Sequence, residues 1–152
     1  MPSSRTVLID PTGITILDAV GKVGVTPEGG VAVKLTNKSG GNSVKGEIVT
    51  SSTGTANAVE SAGINSDNPI GVFYEDSIAD GQEAWIVVSG IAQVLMDASG
   101  STLEYWLGTG GTAKRGTSTI SPPAAPTHFQ EMGHILETVA ANSLAKCILH
   151  FN

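Results

Sequence analysis

Ile70-Gly71-Val72-Phe73-Tyr74-Glu75 returns 62 positions later as Met132-Gly133-His134-Ile135-Leu136-Glu137. The same offset carries Ala79 onto Ala141, Ile86 onto Ile148 and Val87 onto Leu149. Each copy opens with apolar residues around a glycine, reaches a carboxylate, crosses a polar loop and resumes as an apolar run. That order is the signature of strand, loop and strand. It predicts a duplicated strand-loop-strand unit closing one sheet system, in an all-β chain built as a small barrel or sandwich.

Working outward from the first copy, Ala84–Ser89 and Ile91–Met96 read as two strands divided at Gly90. Val31, Val33 and Leu35 alternate with Ala32, Lys34 and Thr36, the period-two pattern of a half-buried strand. Val44–Thr50 reads as a further strand, Ser51–Ala58 as a small-residue turn region and Asn65–Pro69 as a loop. Leu103, Tyr105 and Leu107 alternate with Glu104 and Trp106; a long loop follows from Gly108 to Pro126, where clustered prolines oppose ladder pairing. In the last strand Ala145, Cys147, Leu149 and Phe151 share a face. No segment sustains a helical period, although the region 137–146 has room for a single turn.

Residues 1–30 alternate short apolar pieces, Val7-Leu8-Ile9 and Ile14-Thr15-Ile16-Leu17, with the turn signal Asp10-Pro11-Thr12-Gly13. They read as an extended N-terminal arm, with 31–152 as a single β-domain. A weakly self-burying arm is the segment best placed to reach a neighbour, which makes Arg5, Val7, Leu8, Ile9, Ile14, Ile16 and Lys22 the candidate contact residues.

Composition sets the outer limits. Of 152 residues 40% are apolar and only 14% charged, which supports a packed core rather than disorder. No apolar run approaches the roughly 20 residues of a membrane span, and no export signal is expected from Met1-Pro2-Ser3-Ser4-Arg5. The lone Cys147 excludes an internal disulfide. Between Gly46 and Ala113 there are nine acids and no Lys or Arg, so the body should repel nucleic acid. Residues 1–45 hold five bases against three acids; they could meet an acidic partner, but ordinary solvated surface explains them better.

Candidate chemistry is sparse. Gly108-Thr109-Gly110-Gly111-Thr112-Ala113 matches a dinucleotide fingerprint, but the sequence beyond it supplies no helix to hold a pyrophosphate. A hairpin turn accounts for these glycines. His128, Glu131, His134 and Glu137 resemble metal ligands, yet strand parity places the glutamates opposite the histidines, so no metal or other cofactor is expected. Glu75 and Glu137 invite a paired-carboxylate reading; a structural role, ending strands and accepting N–H bonds from the following turns, fits better. Cys147 reads as a buried hydrophobe, and Trp85 and Trp106 as core or interface anchors. No enzyme is expected.

The order of motifs resembles that of tailed-bacteriophage capsid decoration (cement) proteins. The resemblance runs through Val31-Ala32-Val33-Lys34-Leu35-Thr36-Asn37-Lys38-Ser39-Gly40, Val44-Lys45-Gly46-Glu47-Ile48-Val49, the two copies, Val87-Val88-Ser89-Gly90 and Cys147-Ile148-Leu149-His150-Phe151-Asn152. It covers roughly 31–152, and the Gly108–Pro126 loop departs from it. The resemblance implies a virion protein made in the host cytoplasm and placed on the outer capsid surface. It also implies a homotrimer bridging major capsid protein subunits; charge and hydropathy, as above, argue against a nucleic-acid or membrane partner. Two other readings compete. One is a virion-surface carbohydrate-binding or host-attachment module using Tyr105, Trp106 and the Gly108–Pro126 loop. The other is a hydrolase using Glu75 and Glu137.

Overall fold

The computed structural model describes residues 7–150. Within them lie β1 (Thr15–Ile16), β2 (Val23–Val25), β3 (Gly30–Asn37), β4 (Ile48–Ser51), β5 (Ala58–Ser61) and β6 (Pro69–Phe73). They continue with β7 (Glu83–Leu95), β8 (Trp106–Thr109), β9 (Gly116–Thr119), β10 (Glu131–Ile135) and β11 (Leu144–Leu149). All eleven join in the order β1-β2-β3-β5-β4-β6-β7-β11-β10-β8-β9. A further β3–β7 pairing closes β3, β5, β4, β6 and β7 into a small five-stranded barrel. The all-β expectation holds.

The long strand β7 organises everything else. Its sequence reads as two strands broken at Gly90, but the ladder runs through. Gly90 has φ +75°, which an L-residue adopts only at a cost, and a Cβ there would lie 2.6 Å from the Gly29 carbonyl oxygen. At this residue β7 changes partner on one edge. Its first half pairs with β6 (Val72↔Val87, Phe73↔Ile86) and its second half with β11, from Leu144↔Leu95 to Leu149↔Gly90. The opposite edge follows β3 from Thr36↔Glu83 to Gly30↔Gly90.

Beyond the barrel, β7, β11, β10, β8 and β9 form a second five-stranded array. The parallel bridge Met96↔Gly116 returns its last strand to the end of β7, where the Asp97 N–H donates to the Gly116 carbonyl at 2.9 Å. The two arrays share an irregularity. The β4–β6 register slips between Val49↔Gly71 and Thr50↔Pro69, and the β10–β8 register slips between Gly133↔Leu107 and Glu131↔Gly108. Both hairpins singled out in the sequence form, as β6–β7 and β10–β11. Their inner strands do not keep the 62-residue offset: Phe73↔Ile86 corresponds to Ile135↔Cys147, so the second loop is one residue shorter.

Burial explains the apolar runs. Along β7, Ala84 and Ile86 join Val49, Val59 and Phe73, while Trp85 and Val87 face the larger cluster with Ile48, Val72, Val94, Leu107 and Cys147. Strands covered on both faces need no alternation. Ala145, Cys147 and Leu149 are buried together, as expected; Phe151 lies outside the described residues.

Several boundaries move. Val44–Glu47 is a turn, and the strand begins at Ile48. The four-residue strands β5 and β9 come from stretches with weak strand signals, β9 from inside the supposed Gly108–Pro126 loop. A 3₁₀ turn occupies Ala125–Gln130 rather than the 137–146 region. The supposed arm divides. Residues 1–6, including Arg5, lie outside the described residues. Val7, Leu8 and Ile9 are 66%, 59% and 65% exposed. From Ile14 onward the chain packs on the body: β1 pairs with β2, β2 with β3, and Ile14 is fully buried in the main cluster.

Candidate functional site

The carboxylates of the two copies are tied to their own hairpins. Glu75 accepts from the Trp85 N–H at 3.3 Å and Glu137 from the Lys146 N–H at 2.9 Å. The donors sit on the facing strand, not on the turn where the sequence suggested them. Each loop is also pinned by a buried serine. Ser43 Oγ donates to the Glu75 carbonyl at 2.7 Å and accepts from the Ile78 N–H at 3.0 Å. Ser101 Oγ repeats this with the Glu137 carbonyl at 2.6 Å and the Val139 N–H at 3.1 Å. These groups fix loop geometry. Neither serine stood out in the sequence.

On the other predicted residues the chemistry is equally plain. Gly108 and Thr109 end β8, and β9 begins at Gly116, so the glycine-rich stretch is the turn of a β-hairpin with no helix after it. Burial, with the nearby Glu137 charge, pushes the Cys147 thiol up to about 12, where it is inert at neutral pH. Trp85 is a core anchor whose indole N–H donates to Asp10 Oδ2 at 2.9 Å. Burial would raise the Asp10 carboxyl, but hydrogen bonds from Thr12 and Trp85, aided by the Lys34 charge, outweigh it and hold it low. Of the contact candidates, Lys22 is ion-paired with Glu83, and Ile16 is half-buried against the core. The exposed apolar residues Val7, Leu8 and Ile9 are joined by Leu17 and Val20 on the same N-terminal segment.

The most concentrated polar group lies on the second array. Glu131, His134 and His150 place one ligand-type atom each within 4.8 Å of one another. Strand parity had set Glu131 opposite His134. The register slip between Glu131 and Gly133 overturns this: one extra residue in β10 returns Glu131 to the face of His134. Gly133 makes the slip possible, since its φ is +152° and a Cβ would lie 1.9 Å from the Ile148 carbonyl oxygen. His134 is flanked in register by Trp106 and Ile148, and its ring centroid lies 4.5 Å from Trp106 and 4.9 Å from His150. Glu131 Oε1 is 3.7 Å from His150 Nε2. His128, which the sequence grouped here, instead packs edge-on to the exposed Phe129. Beside the cluster an open groove of about 390 Å³ runs between β8, β9 and the Pro122-Pro123 segment.

Neither a family model nor a curated protein matches this chain. Among solved structures it is similar to the N base of the head fiber gp8.5 in bacteriophage phi29. The TM-score is 0.55 at 19% identity, covering 78% of this chain and 92% of that one. At that identity the likeness is one of fold.

Proposed function

We propose that this protein is a structural component of a tailed-phage virion that lies on the outer head surface, spans junctions between major capsid protein subunits and stabilises the shell as a homotrimer. The observation that carries the reading is the fold shared with a phage head-fiber base, over nearly all of that chain. The motif order of residues 31–152 supports it independently. So does a construction in which one strand, β7, runs from one five-stranded array into the other. Read as a tandem duplication, the two arrays form a stiff two-lobed block, suited to resting against several neighbours. The exposed Val7-Leu8-Ile9 segment, continuing into residues 1–6, is the proposed capsid contact, and a trimer would multiply it through effective concentration.

Binding to purified heads tests this reading. The wild-type chain should saturate head sites and sediment with them, and V7S/L8S/I9S should lose occupancy while keeping its circular dichroism. Light scattering should give the mass of three chains. A monomeric wild type that leaves heads bare would overturn the reading; full retention of the triple variant would remove the segment from the contact.

A carbohydrate-binding reading is favoured by one observation, the groove beside Trp106 lined by Thr109, Thr117, Pro122 and Gln130. Saturable binding in a glycan screen, lost in W106A, would promote it over the first.

A further inference from the structure

We propose that Glu131, His134 and His150 form a binding site for a zinc-class divalent transition metal. Two imidazoles and one carboxylate are a donor set that Zn²⁺ accepts, with a fourth position left for water or for a ligand from a neighbouring protein. Bond lengths near 2.0–2.1 Å put neighbouring donors of a tetrahedral site about 3.4 Å apart. The Glu131–His150 separation of 3.7 Å is already close to that, and all three donors lie within 4.8 Å. His150 has room to rotate toward the others, its side chain being 44% exposed, and His134 is half-buried.

Two features set this cluster apart from a chance meeting of surface residues. The carboxylate is held rather than mobile, since the Glu131 side chain is only 6% exposed. Its presence on this face also depends on a backbone irregularity, the slip in β10 that demands glycine at 133. The matching slip in the barrel pairs Thr50 with Pro69, and Val72 there pairs with Ile48, both fully buried. In the barrel the places of Glu131 and His134 are thus taken by the buried apolar residues Pro69 and Val72. A bound metal would join β10 to the residue after β11, stiffening the middle of the second array. Imidazole donors select Zn²⁺, Ni²⁺ or Cu²⁺ over Ca²⁺ and Mg²⁺.

The test uses the full chain without an affinity tag, stripped with chelator and titrated calorimetrically with zinc chloride. One metal should bind per chain and raise the melting temperature, and calcium chloride should do neither. Cobalt(II) in the same site should give the visible bands of a four-coordinate ion. H134A and H150A should each weaken zinc by more than the roughly 10–100-fold typical of losing a supporting partner. H128A should bind like wild type. E131Q serves as a third variant, read only with circular dichroism confirming its fold; H150A, altering an exposed side chain, keeps the test valid if E131Q does not fold. Absence of saturable zinc binding by the wild type would overturn the proposal, as would H134A and H150A binding as tightly as wild type.

Discussion

Replacing Gly90 with alanine attacks the residue at which β7 passes from the barrel to the second array. Three costs combine. A left-handed backbone at φ +75° disfavours an L-residue by about 1–2 kcal/mol. The new Cβ would stand 2.6 Å from the Gly29 oxygen, a backbone atom in a tight turn, and forcing such contacts apart costs about 1–3 kcal/mol. That oxygen also accepts from the Ile91 N–H at 3.2 Å, a bond worth about 0.5–1.5 kcal/mol that the displacement would stretch. Reduced freedom of the unfolded chain returns about 0.4–1 kcal/mol. The net loss is about 1.5–6 kcal/mol, a large share of the 5–15 kcal/mol available to an ordinary domain. G81A is the internal control: Gly81 has φ +87° but nothing within 4 Å of a new Cβ, so it carries the conformational cost alone, about 1 kcal/mol or less. G54A, in open space without a positive φ, should be near neutral. Urea denaturation of the three variants, with m-values compared to confirm a common transition, reads these differences directly. If G90A falls within about 0.5 kcal/mol of G81A, the close approach of the two backbones at the crossover carries none of the weight assigned to it.

Four further outcomes follow from polar and ionisable groups that the fold holds in place. S43A and S101A each strip two hydrogen bonds from a buried loop anchor and should each cost about 1–3 kcal/mol in chemical denaturation; a loss in only one would break the correspondence between the hairpins. Asp10 is held below its ordinary value, so the stability its charge contributes is complete above about pH 4 and is lost as pH falls through the lowered folded value. The stability gap between wild type and D10N should therefore narrow in acid, and a constant gap from pH 7 to 2.5 would contradict this. Glu47 has the opposite sign: burial, opposed by Lys114 and Arg115, raises its carboxyl, so its ionisation works against folding as pH rises through that raised value. E47Q should melt higher than wild type at pH 7 and converge with it near pH 4. Cys147, with its thiol pushed up to about 12, should resist maleimide in native buffer and react only after denaturation; fast native labelling would place it at the surface.

What the residues declare by themselves is local. Alternation in β3, the apolar face of Ala145, Cys147 and Leu149, and the glycine-flanked strand starts at Ile70 and Met132 define the all-β class and both hairpins. Such signals follow from a strand's period of two, although in β3 the register shift between Val31 and Ala32 buries Ala32 and exposes Val31. The tertiary structure alone decided three things. Gly90 carries β7 through instead of ending it, because β11 takes up the ladder at Gly90, where the pairing with β3 ends. Ala58–Ser61 and Gly116–Thr119, short and lacking a long apolar pattern, are strands because neighbouring strands satisfy their backbones. A one-residue slip in β10 then reverses face parity, bringing Glu131 to His134, while the far end of β11 supplies His150. Backbone pairing sets all three, and a linear pattern of side chains holds no record of which backbone lies alongside.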